Sequence, residues 1–169
     1  MSVPRWRPAY IGIGSNLDSP SEQVERGTAA LAQISKSILV RYSCQYRSAP
    51  MGPDNQPDFV NAVAAMLTQL EPHDLLRELQ AVELEHGRRR DGDRWGPRTL
   101  DLDLLSISNL VFSDDALTLP HPGIAERNFV LLPWQEIAPH YRIPGLATVA
   151  ELAREASLLK PKIERMSTC

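Results

Sequence analysis

An α+β fold in a single domain over residues 1–169 is what the sequence predicts, from two observations. Stretches of alternating apolar residues and stretches of helical spacing follow one another as strand, helix, strand, strand, helix, strand. The pattern fits within 169 residues, enough for one core and too few for two domains of usual size.

The first strand is Ala9 to Gly14, where Ala9, Ile11 and Ile13 alternate with Tyr10, Gly12 and Gly14. Small residues on one side suit a strand that something approaches closely. Ser19, Pro20 and Glu22 read as cap, first-turn proline and capping-box partner of a helix over roughly 20–34, whose stripe is Val24, Thr28, Leu31 and Ile34 or Ser35. Ile38 to Tyr46 is β-branched and aromatic, a second strand with Val40, Tyr42, Cys44 and Tyr46 on one face. Three prolines and a glycine make Ser48 to Asp58 a loop. Phe59 to Thr68 is the third strand, and Pro72 opens a second helix with Leu75, Leu76, Leu79 and Val82 buried and Gly87 as its stop. Glu71 is a poor cap for it. Thr99 to Ile107 completes a βαββαβ order, the split arrangement of ferredoxin-like folds. Beyond this core come a helical piece near Ile124 to Leu132, bounded by Pro133, and a C-terminal helix capped by Thr148-x-x-Glu151.

Composition narrows the function. The chain is 43% hydrophobic and 23% charged, an ordinary globular balance, and no apolar run reaches the roughly 18 residues a membrane span requires. The N-terminus lacks the apolar core of a signal peptide, and two cysteines, Cys44 and Cys169, are too few for a disulfide framework. Both thiols are therefore expected to be incidental and the protein cytoplasmic. A net charge of −3 argues against nucleic acid as a partner. Five arginines, Arg88, Arg89, Arg90, Arg94 and Arg98, nevertheless lie within eleven residues, a density suited to a small anionic ligand.

The chemistry concentrates just after them. In Arg98-Thr-Leu-Asp101-Leu-Asp103-Leu, a strand turns its leucines one way and both aspartates the other. Residues two apart lie about 6.5 to 7 Å apart along a strand, so both carboxylates can reach a pair of divalent ions roughly 3.5 to 4 Å apart. Ligands that are all oxygen favour magnesium. A bare Asp-x-Asp equally suits a solvated strand face; paired with the arginines it becomes the equipment for gripping a polyphosphate. No P-loop is present, and Gly12-Ile-Gly14 is only half of a dinucleotide fingerprint. On the third strand Phe59 and Asn61 share a face, a ring to stack on a flat heterocycle and an amide to read its edge, and Phe129 offers a second ring.

These residues resemble the 6-hydroxymethyl-7,8-dihydropterin pyrophosphokinase family, from Tyr10 to about Leu146. The likeness is carried by Tyr10-Ile-Gly-Ile-Gly-Ser-Asn-Leu17, Gly52-Pro-x-x-Gln-Pro-Asp-Phe-Val-Asn61, Arg94-Trp-Gly-Pro-Arg-Thr-Leu-Asp-Leu-Asp103 and Leu119-Pro-His121 with Arg127-x-Phe129. The resemblance implies ATP as co-substrate and two magnesium ions held by Asp101 and Asp103. It implies catalytic roles for Arg88, Arg98, Asp101 and Asp103, and an ATP-binding set of Gln80, Glu83, Arg90, Trp95, Arg98, Leu104, Thr118, His121 and Arg127. The pterin set it implies is Ser48, Ala49, Met51, Phe59, Asn61, Trp95 and Phe129. Some members carry arginine in place of Ala116 and an aromatic residue in place of Pro122, departures that bear on ATP affinity or product release.

The expected reaction is attack of the pterin hydroxymethyl oxygen on the β-phosphorus of ATP, releasing AMP, by a monomer that uses neither nucleic acid nor membrane. No residue stands out as a general base, and His121 suits either phosphate binding or acid catalysis. The loops Ala49 to Gln56 and Glu85 to Arg94 are expected to close over ATP. Two rivals remain at this point: nucleotidyl transfer, with attack at the α-phosphorus, and a non-catalytic nucleic-acid-binding module.

Overall fold

The computed structural model describes residues 3–52, 55–87 and 99–169. In chain order the elements are β1 (Arg7–Ser15), α1 (Pro20–Leu31), β2 (Ser37–Tyr42), β3 (Tyr46–Ser48), β4 (Phe59–Thr68), α2 (Pro72–Glu85), β5 (Asp101–Ile107), β6 (Phe112–Ser113), β7 (Thr118–Leu119), α3 (Asn128–Ile137), α4 (Val149–Ala156) and β8 (Ile163–Arg165). The main sheet runs β5-β1-β4-β3-β8, with β2 also beside β4, and all its pairings are antiparallel. This is the ferredoxin-like order, with helices crossing one face of the sheet and a C-terminal pair added on the other.

Alternation along the strands sorts residues between two cores. Ala9, Ile11, Ile13, Ala62, Ala64, Met66, Leu100, Leu102 and Leu104 pack with Val24 and Leu31 of α1 and Leu75, Leu79 and Val82 of α2. Tyr10, Val63 and Leu105 point the other way, against Leu131, Trp134 and Ile137 of α3 and Val149, Leu152 and Ala153 of α4. Gly27 lets α1 approach the sheet: a Cβ there would lie 2.9 Å from Leu100 Cδ1, closer than packed carbons sit.

Several expectations are corrected. The second strand is two, because Ser43 breaks the ladder: its hydroxyl accepts from the Val63 amide at 3.0 Å. Ser19 takes a left-handed conformation (φ 63) and makes no capping bond, so α1 starts on Pro20 without the expected capping box. α3 begins later than expected, after a 3-10 turn over Ile124–Glu126, and runs through Pro133 to Ile137. Cys44 and Cys169 are not incidental; they form a disulfide that ties the last residue beside β3. The expected box at Thr148 and Glu151 is present, and Gly87 (φ 78) follows α2 as its stop.

Candidate active site

Among the described residues, the α3 and α4 side of the sheet is only half covered. Where the helices stop, a cleft of about 240 Å³ opens over the Gly14 end of β1, the Phe59 end of β4 and the Asp101 end of β5. Antiparallel register explains why these residues meet. Gly14 is the partner of Asn61 on β4 and of Asp101 on β5, and Gly12 is the partner of Asp103. Directly opposed residues share a face, so Asn61, Gly14 and Asp101 form a row across three strands, about 10 Å wide at the usual strand spacing.

The middle of that row must be small. A Cβ on Gly14 would lie 3.1 Å from Asn61 Oδ1, tight enough to push the amide aside. That amide is aimed: Nδ2 donates to Ser48 Oγ at 3.0 Å, leaving Oδ1 on the cleft side of Gly14. Asp103 accepts from Arg127 Nη1 at 3.4 Å, so a guanidinium offsets part of the carboxylates' charge. His121 donates its backbone amide to Leu105 on the outer edge of β5, at 2.8 Å. Its ring Nδ1 lies 2.6 Å from the Pro122 carbonyl oxygen, which favours the proton on Nδ1 in the neutral ring.

Of the residues singled out by sequence, Ser48, Ala49, Met51, Phe59, Asn61, Asp101, Asp103, His121, Arg127 and Phe129 all line this cleft. Phe59 enters from β4 and Phe129 from the first turn of α3. Four others do not line it. Glu83 of α2 is buried, and its Oε1 accepts from the Leu102 amide at 2.8 Å, satisfying the free edge of β5. Leu104 packs in the α1 and α2 core. Gln80 is half-buried on α2, and Thr118 on β7 shares a hydrogen bond with Ser113. Arg88, Arg90, Trp95 and Arg98 lie outside the described residues, as does most of the second expected loop.

Sequence reasoning missed two contributors. Asn16 Nδ2 donates to Gln56 Oε1 and to the Pro57 carbonyl, each at 3.0 Å, fastening the loop after β3 to the end of β1. The pair falls within the quoted motifs, yet forty residues of separation hide the contact. Val130 also lines the cleft, beside Phe129.

The chain matches the model of the 7,8-dihydro-6-hydroxymethylpterin-pyrophosphokinase family over residues 10–139. A Haemophilus influenzae protein named 2-amino-4-hydroxy-6-hydroxymethyldihydropteridine pyrophosphokinase is 46% identical over 147 residues, covering 87% of this chain and 91% of the relative. A Pseudomonas aeruginosa protein of the same name is also 46% identical, over 85% of this chain and 88% of the relative. Among solved structures, Plasmodium falciparum HPPK-DHPS, crystallised with pteroate, superposes with a TM-score of 0.72 at 12% identity. That superposition covers 92% of this chain and 43% of the other, so it speaks for the fold alone.

Proposed function

Since the chain belongs to the 7,8-dihydro-6-hydroxymethylpterin-pyrophosphokinase family, we propose that the half-open sheet face is where its two substrates meet. The reaction is transfer of pyrophosphate from ATP to the hydroxymethyl group of 6-hydroxymethyl-7,8-dihydropterin, with release of AMP, in folate biosynthesis. The observation that carries the site assignment is the row Asn61, Gly14, Asp101. It sets an amide that reads a lactam edge about two strand spacings from a carboxylate pair. A pterin lying between Phe59 and Phe129 with its ring edge on Asn61 would extend its hydroxymethyl arm over Gly14 toward Asp101.

Asp101 and Asp103 fit magnesium by their chemistry: hard oxygen donors, both facing the cleft. Among the described residues no third Asp, Glu, His or Cys completes a metal-binding group with them. Magnesium held by one or two carboxylates would take its remaining ligands from phosphate oxygens and water. Two such ions would supply charge neutralisation along the phosphates. The chain's own residues do the rest. Phe59 and Phe129 hold the ring and shed water from it, Asn61 orients it, and Arg127 and His121 face the phosphate side. Arg88 and Arg98 are assigned to the charge that develops as the hydroxymethyl oxygen bonds to the β-phosphorus and the bond to the α–β bridging oxygen breaks, sending AMP away. Gln80, Glu83, Arg90, Trp95, Leu104 and Thr118 complete the proposed ATP set, Trp95 also bordering the pterin; Glu83 and Leu104 act there by holding β5. A cytoplasmic monomer without nucleic-acid or membrane partners completes the reading; the net charge of −3 supports the lack of a nucleic-acid partner. No described helix is long and apolar enough to cross a membrane.

An AMP-coupled assay with ATP, magnesium and the pterin tests this, with Asp101→Ala, Asp103→Ala alongside. AMP that needs both the pterin and the aspartates is the expected result. Release of pyrophosphate in place of AMP would mean attack at the α-phosphorus and would overturn the mechanism.

A further inference from the structure

The residue between Arg127 and Phe129 faces away from the cleft and is 1% exposed. Asn128 Nδ2 donates to two backbone carbonyls of the C-terminal tail, Leu159 at 3.1 Å and Pro161 at 2.6 Å. Exchanging the amide's oxygen and nitrogen would set an oxygen against both carbonyls, so this orientation is fixed by the two donor bonds, while Oδ1 is buried without a hydrogen-bond partner among the described residues.

The tail then continues to the opposite wall of the site. β8 pairs with β3, Ile163 opposite Ser48 and Arg165 opposite Tyr46. Past β8 the Met166 amide donates to the Gln45 carbonyl at 2.8 Å, and the Gln45 amide to the Thr168 carbonyl at 2.9 Å. Ser48, backed by Ile163, is the residue that accepts from Asn61. One segment, Leu159 to Cys169, thus braces both the turn that presents Phe129 and the strand that aims Asn61. None of these bonds is made by the Cys44 or Cys169 side chain.

We infer that Asn128 is a positioning residue for the pterin end of the cleft, acting by hanging the first turn of α3, and with it Phe129, on the C-terminal tail. The inference rests on the reading that Phe129 contacts the pterin. Asparagine is required because two adjacent carbonyls need two donors from one short side chain. Aspartate has the same shape and only acceptors.

The test uses the full chain under reducing conditions, with a nonhydrolysable ATP analogue and magnesium, and reads pterin fluorescence as binding proceeds. Asn128→Asp is expected to weaken pterin binding about tenfold, the scale of a lost buried hydrogen bond, while affinity for the ATP analogue changes less than about twofold. Asn128→Ala, which removes the donors without adding charge, is expected to act in the same direction if the aspartate variant does not fold. Equal losses for both ligands would signify general loosening of the fold and overturn the inference. So would wild-type pterin binding in both Asn128 variants alongside a tenfold loss in Phe129→Ala, which leaves the Phe129 assignment standing. Wild-type binding in Phe129→Ala overturns that assignment, and the inference with it.

Discussion

Along β1, β4 and β5 one face of the sheet changes character halfway. At one end Tyr10, Val63 and Leu105 lie sealed under α3 and α4, with Tyr10 tilted against Trp134 and Tyr141 at ring centroid distances of 5.1 and 4.6 Å. At the other end the same alternation presents Gly12, Gly14, Asn61, Asp101 and Asp103 to the cleft. The backbone is continuous through both, so the division is made by side chains. Large apolar residues at one end bring helices down and exclude water. Glycines and carboxylates at the other keep helices off, and that leaves room for ligands. Burial raises the Tyr10 and Tyr141 hydroxyls above their usual pKa, Tyr10 further through Tyr141; the Tyr141 hydroxyl finds partners in Ser106 and the Ser108 carbonyl. The sealed half supplies stability and the open half accepts like charges side by side for the sake of chemistry.

If that division holds, substitutions in the two halves should separate activity from stability. The largest effect expected is in the open half. Asp101→Ala, Asp103→Ala together should lower kcat/KM at least about 10³-fold, or ~4 kcal/mol of transition-state stabilisation. The urea midpoint should be unchanged or raised, because two like charges are gone. A fall in stability as large as the fall in activity would break the comparison. In the sealed half, Trp134 is fully buried, and Trp134→Ala should cost about 3 to 5 kcal/mol in urea unfolding. Kinetic constants per folded molecule should then change little; a large rise in pterin KM would show that the halves are coupled through α3.

A finer probe is Gly14→Ala, at the centre of the open row. Its Cβ must displace Asn61 Oδ1 from 3.1 Å, so the pterin KM is expected to rise by about threefold to tenfold, the cost of a small steric misfit. The ATP KM should hold, and equal rises in both would argue against Asn61 as the pterin reader.

The smallest expected effect lies at the seam between α3, β3 and the tail, where Glu136 receives the Cys44 amide at 2.8 Å, the Tyr46 hydroxyl at 2.6 Å and Arg165 at 3.4 Å. Burial alone would raise this carboxyl, but the bonds from Tyr46, Cys44 and Arg165 outweigh it and hold it below the usual carboxylate value. A carboxyl lowered on folding stabilises above its unfolded pKa and loses that contribution as pH falls through the folded one. Thermal midpoints from pH 6 to 3 should therefore fall more steeply in the wild type than in Glu136→Gln; parallel curves would rule Glu136 out. Its partner Tyr46 is pushed up to about 12, by burial first and then by Glu136, so the same seam should weaken as pH rises from 10 toward 12.

How much of this was legible depended on range. The strand alternation in β1, β4 and β5 was readable because each pattern is longer than the five or six residues that reveal period two, and it correctly placed Asp101 with Asp103 and Phe59 with Asn61. The capping box at Thr148 and Glu151 was readable because both partners lie within one turn. Ser19 misled for the same local reason: a Ser-Pro pair reads as a cap whichever conformation the preceding turn imposes. Ser43 splitting a strand, Pro133 inside α3 and the three residues of β8 left no periodic trace.

By itself, then, the sequence determined the order of elements, the two faces of each long strand and the chemical kinds of group on the open face, since all three follow from neighbours a few residues apart. Tertiary structure alone decided which of those groups meet. Register set Gly14 between Asn61 and Asp101. Glu83 was turned from a ligand candidate into an anchor of the β5 edge. The last residues of the chain were brought against Asn128 and Ser48. Each of those contacts joins residues far apart in the chain, and burial and pairing across such distances are settled only when the whole core closes.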